Sequence, residues 1–325
     1  MKRDKKDLRI VFLGTPDFAV ESLDRLVKGG YNVVGVVTMP DKTGGRGNKV
    51  IQSAVKQYAV AHDLPLLQPE KLKDETFVEQ LRALKADLQI VIAFRMLPKV
   101  VWEMPPLGTF NLHASLLPKY RGAAPINRAV MNGETETGVT TFLLKHEIDT
   151  GDVLQQVRIP IALTDNVEIV HDKLMMLGAD LVIETVEGFL NGTIKPIPQD
   201  QMLTAGVEPT PAPKIFHEDC HIDWTKPSME VYNLIRGLSP YPAAWSTFVD
   251  GTQKQTQFKV YETSLPSEDV IAEPAGTILC TKHTLKIVCG DGKTLEIKQL
   301  QLAGKKRMSA DELMRGFKMA DVKAY

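Results

Sequence analysis

The chain has little of several things that would each have set its class. No run of about 18 apolar residues occurs in its 325 residues, so a membrane-spanning helix is not expected. Its three cysteines, Cys220, Cys280 and Cys289, cannot make an even disulfide framework and are expected to be reduced thiols. An excess of one charge sign is missing too. With 39 Lys and Arg against 40 Asp and Glu, any surface for a polyanion has to come from local asymmetry. Met1-Lys2-Arg3-Asp4-Lys5-Lys6-Asp7 is charged and leads toward a strand with no apolar signal region, which makes the cytoplasm the expected location. The first Gly-containing turn, Gly14-Thr15-Pro16-Asp17-Phe18-Ala19, lacks the second and third glycines of a dinucleotide fingerprint. Pro16 also removes an amide that would face a pyrophosphate, so a nicotinamide site is disfavoured.

What is present points to two domains. The length exceeds a usual single domain, and 43% hydrophobic content is ordinary for globular chains. Apolar runs at Leu8–Leu13, Asn32–Thr38, Asp87–Phe94 and Gly108–His113 read as strands. They alternate with helical spacings at Pro16–Lys28, Val50–His62 and Asp74–Leu84. That alternation predicts a Rossmann-like parallel sheet with helices on both faces, where ligands gather beyond the carboxyl ends of strands. Further strands are expected at Val139–Leu144 and Val153–Pro160, followed by a long helix over Val167–Leu190. Five prolines between Lys195 and Pro213 mark an extended linker. Beyond it come a helix at Ser228–Gly237 and short alternating strands, Phe258–Glu262, Gly276–Leu279, Leu285–Cys289 and Leu295–Leu302, which predict a small β-barrel. The expected boundaries are therefore 1–195, a linker at 196–213, and 214–325.

Chemistry concentrates in Asn111-Leu112-His113-Ala114-Ser115-Leu116-Leu117-Pro118-Lys119-Tyr120-Arg121-Gly122, followed by Ile148-Asp149-Thr150-Gly151-Asp152. One residue separates Asn111 from His113, so on a strand both side chains point the same way. An amide can then donate to a developing oxyanion while an imidazole handles a proton near neutrality, oriented by the Asp149 carboxylate. The blander reading is a turn-capping Asn and a satisfied, partly buried His. His217-Glu218-Asp219-Cys220-His221 offers zinc-type donors, but no second Cys/His pair stands at a finger-like spacing. A solvated loop before a strand is expected there, and no metal.

The order N-x-H-x-S-L-L-P-x-Y-R-G, then I-D-T-G-D, resembles the folate-dependent formyltransferase family. Ile10-Val11-Phe12-Leu13-Gly14-Thr15-Pro16 and the later Ile235-Arg236-Gly237-Leu238-Ser239-Pro240-Tyr241-Pro242 resemble the branch that acts on methionyl-tRNA, so the likeness spans nearly the whole chain. The resemblance implies transfer of a formyl group from 10-formyltetrahydrofolate to the amine of methionyl initiator tRNA, with Asn111, His113 and Asp149 as catalytic residues. It places the folate pocket at Phe94, Arg95, Leu97, Ser115, Leu116, Leu117, Pro118, Ile148 and Asp152. The basic, Gly-rich loop Pro40–Lys49 resembles the family's tRNA-contacting loop, making Arg46 the foremost tRNA contact, with Lys42 and Lys49 beside it. The C-terminal barrel is implied to be of the oligonucleotide-binding type, and a monomer is expected. Three segments depart from the family pattern: Ile51-Gln52-Ser53-Ala54 where a Pro-containing segment is usual, Phe94-Arg95 in place of Tyr-Gly, and Ala243 in place of Gly. Arg95 is left with two readings, turned outward or meeting an oxyanion of the ligand.

Overall fold

Apolar runs too short for helices and bounded by turn residues become the strands of a seven-stranded sheet. In this computed structural model, which describes residues 4–44, 49–203, 209–316 and 322–325, they are β1 (Arg9–Gly14), β2 (Asn32–Val37), β3 (Leu66–Leu67), β4 (Leu88–Ile92), β5 (Thr109–His113), β6 (Glu136–Leu143) and β7 (Val153–Pro160). Their order is β7-β6-β5-β4-β1-β2-β3. β3 through β5 pair in parallel, whereas β6 lies antiparallel to β5, in the register His113↔Thr140 and Asn111↔Phe142. The expected parallel sheet thus carries an antiparallel extension on the side of β5, reached through a connection that includes the helix Pro125–Met131.

Helix α1 (Asp17–Lys28) buries Phe18, Ala19, Ser22, Leu23 and Leu26, one face of a 3.6-residue period. The lone glycine of the first turn is a packing device. A Cβ at Gly14 would sit 2.8 Å from the Ala19 Cβ and 3.2 Å from the Ile92 carbonyl. α2 (Ala54–Ala61) is shorter than the expected Val50–His62. Ser53 caps it by accepting from the Lys56 N–H, and Lys49–Ile51 before it is a strand paired with Lys42–Gly44. α3 (Glu75–Ala83) is capped by Asp74, which accepts from the Phe77 N–H.

Two compact units divide the chain. One comprises Met1–Gly122, Thr137–Ile159 and His171–Pro211; the other comprises Ala123–Glu136, Pro160–Val170 and Ala212–Tyr325. In the second unit, strands Ala244–Val249, Gln255–Thr263, Ile278–Cys280, Leu285–Val288, Thr294–Leu302 and Lys323–Ala324 form an antiparallel sheet, and a Thr277↔Lys323 bridge nearly closes it into a barrel. The strand Ala244–Val249 adds to the expected set. Phe248 and Phe258 stack at 3.7 Å within the barrel, and Trp224 donates to Ser246, whose hydroxyl donates to the Tyr325 carbonyl. His217 and His221 lie against the indole of Trp245 at 4.7 and 4.4 Å. No group of three or more His, Cys, Asp or Glu side chains among the described residues could hold a metal ion. Nor is any helix among them long and apolar enough to cross a membrane.

Candidate active site

Alternation along β5 decides where its polar groups go. Phe110 stacks on Phe189 at 6.2 Å, and Leu112 approaches Gly178, both on helix Val167–Asn191. Asn111 and His113 therefore face the other side of the sheet, at the carboxyl end of the strand. No hydrogen bond of the Asn111 side chain occurs among the described residues, so its amide is available to a ligand. His113 is 7% exposed and meets Phe142 edge-on.

The imidazole is bound at one nitrogen and faces a carboxylate with the other. Its Nε2 lies 2.8 Å from the Tyr120 carbonyl, an acceptor only, so Nε2 carries a proton and donates. Nδ1 faces the Asp149 carboxylate at 3.9 Å. That carboxylate accepts in turn from the Gly122 N–H at 2.9 Å. Asp149 has φ of 56°, the left-handed region that costs an ordinary residue about 1–2 kcal/mol. At Gly151 a Cβ would fall 1.6 Å from the Leu143 carbonyl, so the loop can pass only with glycine there.

Loop Ser115–Tyr120 is shaped from within. The Ser115 hydroxyl donates to the Lys119 carbonyl at 2.7 Å. Thr140 donates to the Ser115 carbonyl at 2.6 Å and accepts from the Leu117 N–H and from Gln156. Ser115 and Leu117 are buried, Leu116 is partly buried, and Leu117-Pro118 is a cis bond. These four residues offer a neighbouring ligand the shape of the loop more than their side chains.

Phe94, Arg95 and Leu97 follow β4, adjacent to β5. Leu97 is buried in the core and Phe94 packs on that core. Arg95 donates to the carbonyls of Pro69 and Glu70. Met96 and Ile148, in contrast, are 72% and 60% exposed. Asp152 is ion-paired with Lys145 at 2.6 Å. Beside it Trp102, Leu144, Lys145, His146, Glu147 and Thr150 line a shallow depression. Trp102, Leu144 and Lys145 carry no spacing that marks them in sequence; only the antiparallel pairing of β6 brings their segments together. Lys42 is exposed at the start of its short strand, Lys49 begins the partner strand, and Arg46 lies outside the described residues.

The arrangement presents an unengaged amide, an imidazole with one nitrogen committed to a carbonyl, and a carboxylate at the other. Such a set can stabilise a developing oxyanion and relay a proton. A family profile described as "Formyl transferase" matches residues 8–186, and one described as "Formyl transferase, C-terminal domain" matches residues 214–318. A methionyl-tRNA formyltransferase of Bacteroides fragilis is 64% identical over 318 residues, covering 98% of this chain and 97% of the relative. One of Flavobacterium johnsoniae is 51% identical over 314 residues, with 97% and 98% covered. Among solved structures, HypX from Aquifex aeolicus in complex with tetrahydrofolic acid matches with a TM-score of 0.63 at 20% identity, over 98% of this chain and 50% of that one. The sugar 3N-formyl transferase WlaRD, with dTDP and 5-N-formyl-THF, matches at 0.64 and 19%, over 92% and 99%. Both share the fold.

Proposed function

The chain belongs to the formyl transferase family, and on that premise we propose that it moves the formyl group of 10-formyltetrahydrofolate onto the amine of methionyl initiator tRNA, the step that prepares this tRNA for translation initiation. The observation that carries the reading is His113 held between the Tyr120 carbonyl and the Asp149 carboxylate, next to the unengaged amide of Asn111. The folate co-substrate supplies a formyl carbon that a neutral amine attacks, with negative charge growing on the formyl oxygen. Asn111 donates to that oxygen, and the protonated His113 stabilises the same charge. A donor of this kind is worth about 3 kcal/mol of barrier, or roughly a hundredfold in rate. Asp149 supports the imidazolium and helps move the proton from the attacking amine toward the leaving nitrogen.

The residues present fit the folate. A ligand with a flat, hydrogen-bonding ring system and a polar tail needs an exposed apolar wall and backbone partners, and Met96 and Ile148 supply exposed apolar surface, one after β4 and one beside Asp149. Phe94, Arg95, Leu97, the Ser115–Pro118 loop and Ile148 to Asp152 are assigned to its pocket, with Arg95 shaping the wall through the Pro69 and Glu70 carbonyls. Lys42, Lys49 and, between them in sequence, Arg46, together with the barrel of 214–325, are assigned to the tRNA. Lys305, Lys306 and Arg307 give the barrel a local basic run, and the unit of Met1–Gly122, Thr137–Ile159 and His171–Pro211 is the catalytic one. The enzyme is taken to act as a cytoplasmic monomer.

Purified protein is incubated with 10-formyltetrahydrofolate and charged initiator methionyl-tRNA, and formyl-methionine on the tRNA is measured beside Asn111→Ala, His113→Ala and Asp149→Ala. Formylation that falls about a hundredfold or more in each folded variant supports the reading. Normal rates in all three would remove the site assignment, and formylation of an amino-sugar nucleotide instead of the tRNA would move the chain to another branch of the family.

A further inference from the structure

Gln199 lies in the Pro-rich stretch that reads in sequence as linker, yet it is 3% exposed. It opens the short 3-10 turn Gln199–Met202, and just before it Ile197 exchanges two backbone hydrogen bonds with Val153. Its amide is spent entirely on the candidate site. Nε2 donates to the carbonyls of Asp149 and Gly151, both at 2.8 Å. Oε1 accepts from the Arg121 guanidinium, at 3.1 Å from Nε and 2.7 Å from Nη2. The orientation of the amide is fixed by chemistry, because the guanidinium only donates and the two carbonyls only accept.

These bonds close a ring. Gly122 N–H holds the Asp149 carboxylate, Gln199 holds the Asp149 carbonyl, and Arg121, the covalent neighbour of Gly122, holds Gln199. Asp149 sits at the junction in its left-handed conformation, which persists only when its surroundings over-determine it. Removing Gln199 frees the buried Gly151 carbonyl, the part-buried Asp149 carbonyl and one side of that junction, leaving the carboxylate tethered through Gly122.

We propose that Gln199 is a positioning residue for formyl transfer: with Arg121 it locks the Asp149–Gly151 loop so that the Asp149 carboxylate stays opposite Nδ1 of His113. The inference rests on the function proposed above. It makes the stretch after helix Val167–Asn191 part of the catalytic apparatus rather than a spacer. Gln199 touches no reacting atom, so its loss acts on turnover through the charge state and aim of the imidazole and leaves the binding surfaces in place.

The test compares Gln199→Met, which keeps volume and removes the hydrogen bonds, with Gln199→Glu, which keeps an acceptor for Arg121 but turns oxygens toward both loop carbonyls. Formylation kinetics are measured across pH 5.5 to 9 for the parent, both variants and Asp149→Asn. The expected result is a kcat at least tenfold lower, KM for folate and tRNA within about twofold of the parent, and the pH-dependent limb displaced in the direction seen in Asp149→Asn. Should Gln199→Met not fold, Gln199→Glu carries the test through its retained Arg121 contact. A kcat within twofold of the parent in a folded variant, or a slower rate with an unmoved limb, overturns the proposal. A parent that transfers no formyl group would remove the functional reading and this inference with it.

Discussion

His113 and Asp149 face each other across 3.9 Å, Nδ1 to Oδ2, while the other imidazole nitrogen is bound to the Tyr120 carbonyl 2.8 Å away. The pair is therefore asymmetric. The proton on Nε2 is structural, held by a backbone acceptor, and the nitrogen free to gain or lose a proton is the one beside the carboxylate.

That asymmetry has a spectroscopic signature. In protein labelled with 15N-histidine, the neutral form of His113 should be the Nε2–H tautomer, with Nδ1 unprotonated. Asp149→Asn should leave that tautomer in place, because the Tyr120 carbonyl and not the carboxylate fixes it. An Nδ1–H tautomer in the neutral form would show that the Tyr120 carbonyl does not hold the ring in solution.

Much of this arrangement is readable from the chain alone. The one-residue spacing of Asn111 and His113 puts them on one face of β5, and the sheet class follows from alternating apolar runs and helical periods. What escapes is whatever depends on strand pairing or on side chains without periodicity. Thr140 acts because antiparallel register sets it opposite His113, and Val50–Ile51 joins a strand although its spacing fits a helix. Gln199 lies among prolines that in sequence mark only an extended stretch. His217 and His221 share the residue types of a metal site, but Trp245, 24 residues after His221, is what they pack on.

The cysteines separate into two kinds. Cys289 is 1% exposed, and burial pushes its thiol up to about 12. Burial also raises Cys220, whose Sγ–H donates to the Phe216 carbonyl. Cys280 is exposed. Thiolate is the reactive species, so at pH 8 one thiol per chain should react with an aromatic disulfide reagent in the native state, and all three after denaturation. A second fast thiol in the native protein would contradict the burial of Cys220 and Cys289.

Thr140 offers the sharpest separation of loop shape from catalytic chemistry, because it organises the loop without belonging to the reacting set. Its hydroxyl donates to the Ser115 carbonyl and accepts from the Leu117 N–H and from Gln156, all within 3.2 Å. Thr140→Val keeps the shape of the side chain and leaves the buried Ser115 carbonyl and Leu117 N–H unpaired, a cost of about 1–3 kcal/mol for each unsatisfied group. Thr140→Ser keeps every one of these bonds and loses only a methyl, about 1 kcal/mol. Because the same loop ends at the Tyr120 carbonyl that holds His113, the valine variant should be the less stable in chemical denaturation. It should also lose turnover that the serine variant retains, when both are assayed well below their melting temperatures. Equal activity in the two folded variants would mean that the loop holds its shape, and His113 its place, without the Thr140 hydroxyl.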